Sequence, residues 1–443
     1  MKKLLFIFIV ALMCASSAMA QKTYDRAHTL KVYTWNDYTD MDLIPEFEEY
    51  YEKMTGEPVH IIYQTFDINE YMLTEIEEGH EDYDVVCPSE YIIERMIKKG
   101  LLTKIDTNFV PGVTNNLHNT APFIKNLMRQ MSDSVDVLDY VSPYVWGTTG
   151  FLYNSAFVDK EEVKSWGALL NPKFKGQIYI KDAFRDGYSV LIQYAKRKEI
   201  AEGAADRQQL ACDLSAENLK AVEDVLKQAK PQIAGWEAAF GKERMCQGKV
   251  WLNLTWSGDA AWAIDEQDEG VDLQYIVPEE GTNAWMDAYV IPIYAVNRKA
   301  AAYFINFLNT GENAVRNMAA SGYVSCVGVP EVLEAMQDSA YDYVDASYFF
   351  GPEASHVRLN HVLYPDKSVI DHTILMHDAG SEAEALVEMW SRAKGDYLTW
   401  KMIVFEVVVF GSIIFFLIWR RWQMHRRRKM RRERLSKLSG NAK

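Results

Sequence analysis

The residues best suited to chemistry in this chain are aromatic rings with a carboxylate or hydroxyl close by. Trp35 and Tyr38 lie in one short segment, as do Ser89 and Tyr91, and Trp285 and Asp287 enclose Met286. Asp182 and Asp186 flank the run Ala183-Phe184-Arg185, Trp256 stands in Thr255-Trp256-Ser257-Gly258, and Tyr323 follows Gly322. Indole and phenol faces attract a cation and cover methylenes, while carboxylates fix charged nitrogens. The set therefore suits an alkyl ammonium ligand. Each residue also has a plainer reading: a tryptophan at a strand end packs more often than it binds, and Asp182 is placed to cap a helix.

Other chemistries lack their residues. The nine histidines form no HExxH or HxxxH pair, and His372 and His377 stand five positions apart. There is no CxxC spacing, so no metal site or cofactor is expected. GxSxG, a glycine-rich phosphate loop and a Ser/His/Asp order are all missing, so no catalytic residues are assigned and the chain is not read as an enzyme. The 443 residues carry 62 acidic against 47 basic side chains, a net charge of −15, which argues against a nucleic-acid partner. Between Arg420 and Lys443 stand 11 Lys/Arg and one Glu, so the rest of the chain is more acidic than the average. An acidic body attracts cations. The acidic clusters from Glu77 to Asp84 and from Asp265 to Glu269 read as solvated faces.

With 49% hydrophobic residues there is material for one or two cores. Leu30–Trp35 reads as a strand, followed by apolar positions Leu43, Phe47, Tyr50, Tyr51 and Met54 at helical spacing, with Gly56 as the stop. Val59–Tyr63 is the next strand, Asn69–Glu78 a helix, Tyr83–Cys87 a strand and Glu90–Lys99 a helix ended by Gly100. This alternation predicts an α/β fold with a mostly parallel sheet covered by helices, and its ligands collect at the carboxyl ends of the strands. The aromatic residues named above fall at such ends. Asn283–Asp287 is expected to precede a strand at Tyr289–Pro292, and Tyr323 to follow a helix at Val315–Ala320.

Both ends of the chain concern membranes. Residues 1–20 combine Lys2 and Lys3, an apolar run from Leu4 to Met13, and Ala18 and Ala20, the pattern of a cleaved export signal. Residues 402–419 form an apolar run that rises about 27 Å as a helix, bracketed by Trp400, Trp419 and Trp422 and interrupted by Glu406. It is expected to be a transmembrane helix in the lipid bilayer, with the basic tail 420–443 cytoplasmic and the body outside. In that oxidising compartment Cys87, Cys212, Cys246 and Cys326 permit disulfides, Cys212 with Cys246 among them, while Cys87 reads as a buried thiol.

LKVYTWNDY, YDVVCPSEY with KKGLLTKID, YVWGTTGFLYN, SWGALLNPKFKGQIYIKDA, LTWSGDAAWA, WMDAYVIP and NFLNTGENA…SGY occur in an order that resembles the spermidine/putrescine periplasmic binding proteins. These are the solute-binding subunits of polyamine ABC importers, and the resemblance runs from about Leu30 to Lys394. It implies a two-lobed periplasmic-binding-protein type II fold with two crossover segments. Lobe one would be 29–140 with 280–330, and lobe two 141–279 with 331–395. The ligand would be a polyamine trapped between lobes, and the partner an inner-membrane ABC permease.

The matching positions are Trp35, Tyr38, Ser89, Tyr91, Asp182, Trp256, Trp285, Asp287 and Tyr323. Asp287 would hold one ammonium and Asp182 another, with Trp256 and Trp285 packing the methylenes between. Three departures stand out. Arg185 occupies the place of a family Glu, with Asp186 as its substitute if the turn is one residue longer. No glutamine stands near His377-Asp378, where one is expected. The membrane segment is the third, and it leaves open a receptor that signals polyamine through that helix.

Overall fold

The computed structural model describes residues 25–238, 240–395, 408–412, 416 and 419–421. The expected export signal at 1–20 lies outside the described residues, as do most of the span at 402–419 and of the tail at 420–443. Among the described residues no helix is long and apolar enough to cross a membrane. Residues 408–412 and 419–421 are helical, and Val408, Phe410, Phe416 and Trp419 are exposed.

The body begins with strand β1 (Thr29–Trp35), followed by a helix at Leu43–Thr55 that buries Leu43, Phe47 and Tyr51 at four-residue spacing. Gly56 ends that helix at φ 73°, its N–H bonded to the Glu52 carbonyl. Strand β2 (His60–Phe66), a helix at Asn69–Glu77, strand β3 (Val85–Val86), a helix at Glu90–Lys98 and strand β4 (Leu102–Thr103) follow. The second half is built likewise from β6 (Ile178–Lys181), a helix at Phe184–Ala195, β7 (Ile233–Glu237), β8 (Leu252–Trp256), a helix at Ser257–Asp265 and β9 (Leu273–Ile276).

Two long strands join the halves, β5 (Val141–Asn154) and β10 (Thr282–Pro292), and every residue of both is buried. The sheet runs in the order β2-β1-β3-β10-β5-β8-β6-β7. At each outer side the strands are parallel, β2 and β3 to β1, and β7 and β8 to β6. In the middle β10 is antiparallel to both β3 and β5, and β5 is antiparallel to β8. The chain thus crosses from one parallel set to the other along β5 and returns along β10. Parallel sets with helical crossovers are the expected α/β pattern.

Three expectations need correction. Asn283–Asp287 is not a loop before a strand: Trp285 and Asp287 lie inside β10, where the register to β5 shifts between Asp287 and Ala288. Such an irregularity re-aims side chains within a strand. No disulfide joins Cys212 to Cys246; Cys87, Cys212, Cys246 and Cys326 are all free thiols, and Cys212 alone of them is exposed. Asp84 is no solvated residue. Its carboxylate is fully buried and accepts from the backbone N–H groups of Lys31, Val296 and Asn297 and from Arg26 Nη1, all at 2.7–2.9 Å.

That one carboxylate ties β1 to the chain after β10. Replacing Asp84 by Ala leaves three buried backbone donors without their acceptor and removes one of the two carboxylates that pair with Arg26. Asp84→Ala is expected to lower the unfolding free energy by about 3–5 kcal/mol, read as a shift of the urea midpoint by tryptophan fluorescence. A wild-type midpoint would refute this role.

Candidate functional site

The site begins where β1 and β3 end. After Trp35 the chain turns through Asp37, in the left-handed region at φ 56°, and returns Tyr38 to the interior. After β3, Ser89 takes the position before the helix at Glu90–Lys98 with extended backbone angles. Both hydroxyls reach the same carboxylate on β10. Tyr38 Oη donates to Asp287 Oδ2 at 2.6 Å, and Ser89 Oγ donates to Asp287 Oδ1 at 2.6 Å. Asn69, at the start of its helix, fixes this arrangement from behind, its Nδ2 donating to Ser89 Oγ at 2.9 Å and to Tyr91 Oη at 3.0 Å.

A second buried carboxylate comes from the other half. Asp186, in the helix after β6, accepts from Asn283 Nδ2 of β10 at 2.7 Å. Burial pushes the Asp186 carboxyl up to about 6, against the pull of Asn283 and Trp256. Burial likewise pushes Asp287 up to about 6, against the bonds from Ser89 and Tyr38, with a further push from Asp186. The two carboxylates therefore feel each other. Glu90 is fully buried beside them; burial raises it well above the carboxylate range, opposed by the Met286 N–H and reinforced by Asp287 and Asp186. Its Oε2 accepts from Met286 N at 3.0 Å, while Oε1 has no hydrogen-bond partner among the described residues.

Rings surround these acids. The Trp256 and Trp285 centroids lie 6.2 Å apart, Trp285 and Tyr323 5.8 Å, and Tyr38 and Tyr323 4.9 Å. Trp35 packs on Phe66 at 4.6 Å and faces Tyr38 at 6.4 Å. The rings can approach because two neighbours have no side chain. A Cβ at Gly147 would stand 2.4 Å from Trp285 Cζ2, and one at Gly258 would stand 2.3 Å from Tyr323 Cδ1. The buried indole N–H groups of Trp35 and Trp285 have no partner among the described residues.

Of the residues expected from sequence, Tyr38, Ser89, Tyr91, Asp186, Trp256, Trp285, Asp287 and Tyr323 are thus joined by short contacts, with Trp35 at the edge. Asp182 is the exception. It is exposed, and its backbone N–H bonds the Glu237 carbonyl, so the turn carries Asp186 inward in its place. Arg185 does not lie on the two carboxylates: its guanidinium stacks over the Tyr91 ring at 4.5 Å and donates to the His377 carbonyl. Sequence reasoning missed Asn69, Asn283 and Glu90. Asn69 follows the end of β2, so the strand-end rule that selected Trp35 and Ser89 reaches it too.

Beyond Trp256 sits a buried ion cluster. Lys181 Nζ, at the end of β6, pairs with Asp259 Oδ2 at 2.5 Å and Glu237 Oε1 at 3.6 Å and lies 4.4 Å from the Trp256 ring centroid. Tyr323 Oη donates to Asp259 Oδ1 at 2.8 Å. Among the described residues no group of three or more His, Cys, Asp or Glu side chains could hold a metal ion.

The arrangement sets buried carboxylates against aromatic faces, the chemistry that suits a positively charged organic group. Comparison with known proteins agrees in kind. Residues 46–340 match the family model described as bacterial extracellular solute-binding protein. The spermidine/putrescine-binding periplasmic protein of Escherichia coli is 28% identical over 371 residues, covering 84% of this chain and 92% of that protein. The putrescine-binding periplasmic protein of the same species is 26% identical over 63% of this chain and 73% of its own length. Among solved structures, a spermidine/putrescine ABC transporter protein of Listeria monocytogenes superposes with TM-score 0.62 at 29% identity, covering 83% of this chain and 99% of that one. A spermidine/putrescine ABC transporter substrate-binding protein of Streptococcus pneumoniae does so with TM-score 0.60 at 25% identity, over the same shares. The two-lobed α/β periplasmic-binding-protein fold is common to them and to this chain. With two thirds of its length matched by the family model and its fold shared, the chain belongs to the bacterial extracellular solute-binding proteins.

Proposed function

We propose that this protein is the extracytoplasmic polyamine-capturing subunit of an ABC importer, handing its ligand to an inner-membrane permease. The observation that carries this reading is the pair Asp186 and Asp287. Both are buried among aromatic rings and hydrogen-bonded by neutral groups. Keeping either one ionised costs about 3 kcal/mol relative to water. An organic di- or tri-cation lowers that cost, and its methylenes cover Trp256, Trp285 and Tyr323. The names of the relatives, which bind spermidine and putrescine, support the same substrate class. The lobes would be 29–140 with 280–330 and 141–279 with 331–395, hinged on β5 and β10, and closure would bring Asp186 and Asp287 onto one ligand.

The body is further proposed to be tethered through 402–419. An eighteen-residue, mostly apolar run interrupted by Glu406, with tryptophans at its ends and a basic tail after it, supports this. A tether would raise the local concentration of loaded protein at the permease. Removing residues 399–443 is expected to move the protein from the membrane pellet to the soluble fraction with ligand binding retained. Continued sedimentation with membranes would contradict the tether.

Calorimetric titration with putrescine, spermidine and glutamate tests the substrate class: the amines bind and the amino acid does not. In Asp287→Asn the affinity for the amines falls by about 2 kcal/mol, the loss of a charge-assisted contact in a closed site. Unchanged affinity in that variant would remove Asp287 from the site. The pH dependence follows from the two raised carboxyls. Below about 6 the free protein holds protons that a bound cation must displace, so affinity rises with pH and levels off above it. Between pH 7 and pH 5 it should drop by about tenfold or more, and a flat profile would refute the assignment of both acids.

A further inference from the structure

Lys181 is a cation that the protein itself places at one end of the site. It is 3% exposed, and although burial opposes its charge, Asp259 and Glu237 hold its pKa above the ordinary lysine value. Asp259, by contrast, is brought below the ordinary value against its own burial, first by Lys181 and then by Lys242, whose Nζ lies 3.8 Å away. Asp259 and Glu237 are therefore committed to a partner inside the chain. Glu237 also accepts from Gly241 N and Asn253 Nδ2. Three buried carboxylates are left with neutral hydrogen-bond donors, Asp287, Asp186 and Glu90; burial raises Glu90 well above the carboxylate range, which leaves Asp287 and Asp186 as the anions. Arg185 acts on Asp186 only from its seat on Tyr91.

From this arrangement we infer that Lys181 is a specificity-determining residue: its ammonium, seated on the Trp256 ring, blocks the place of a third amine, so the site selects a diamine over a triamine. The inference rests on the polyamine reading above. A diamine matches the two anions, Asp186 and Asp287, one ammonium to each. A longer triamine must extend its third ammonium past one of them. Toward Trp256 it meets Lys181 Nζ, already 4.4 Å from the ring centroid, and like charges in a water-poor cleft repel strongly. Specificity would then come from a repulsive element supplied by the protein as well as from the attractive pair.

Titration of the full chain with putrescine and spermidine, in wild type and in Lys181→Met, tests this. Wild type is expected to bind putrescine on the order of tenfold more tightly than spermidine. In Lys181→Met the spermidine-to-putrescine affinity ratio rises by about the same factor. Because that change strands Asp259 and Glu237, the variant Lys181→Met/Glu237→Gln/Asp259→Asn is measured beside it, with thermal melting to check folding. A wild-type preference for spermidine, or an unchanged ratio in the folded variants, overturns the role of Lys181 while leaving polyamine binding intact. Failure of wild type to bind either amine overturns the polyamine reading itself, and this inference with it.

Discussion

Two carboxylates removed from water between aromatic rings, and each hydrogen-bonded only by neutral groups, set the terms for the rest of this molecule. A buried carboxylate without a cation drifts toward its protonated form, and Asp186 and Asp287 both do so. Nothing about stability favours such a pair. Replacing both by apolar residues of similar size would remove the desolvation penalty altogether. An organic cation between them would lower that penalty, as the proposed function requires.

The scaffold places this pair through one strand. β10 carries Asn283, Trp285 and Asp287, and so contributes to the second acid's hydrogen bond, to the ring wall and to the first acid. It also pairs with β3 on one side and β5 on the other, which makes it part of the passage between the two parallel sets. The register shift after Asp287 lies where the strand leaves the site for its run beside Val86. A fully buried strand holds its side chains more closely than a loop would. Gly147 and Gly258 complete the construction from the outside, since any side chain there would displace Trp285 or Tyr323.

Much of this could be read from the residues. Helical spacing marks the helix after β1 to within its ends, and the rule that ligands gather at strand ends selects Trp35, Tyr38, Ser89, Tyr91 and Trp256, whose rings and hydroxyls the fold brings close together. What failed did so for physical reasons. Asp182 and Asp186 are both acids in one turn, and only the first turn of the following helix decides which points inward. Asp84 looks like part of a solvated acidic run, yet two distant N–H groups, from Val296 and Asn297, make it a buried acceptor. Pairings of that sequence separation have no local signature. Asn69 and Asn283 escaped because an asparagine carries no charge to mark it, although Asn69 bonds Ser89 and Tyr91 and Asn283 bonds Asp186. Lys181 was visible in the sequence, but its burial depends on Glu237 and Asp259, which come from two other elements.

Lys181 also supplies an internal comparison. Asp259 is as buried as Asp287 and lies in the same neighbourhood, since Tyr323 bonds the one and packs on the Tyr38 that bonds the other. Their carboxyls nevertheless move in opposite directions, Asp259 down and Asp287 up. Burial is common to both, and hydroxyl donors are common to both. The difference is the ammonium groups of Lys181 and Lys242 against Asp259, where Asp287 has only the like charge of Asp186. A single lysine, held over an indole and paired with a carboxylate, thus reproduces within the chain the contacts that an alkyl ammonium ligand would make with Trp285 and Asp287. The lysine side chain shows inside the fold the pairing the proposed function requires of a ligand: a primary amine on a methylene stem, its charge on an acid and beside a ring.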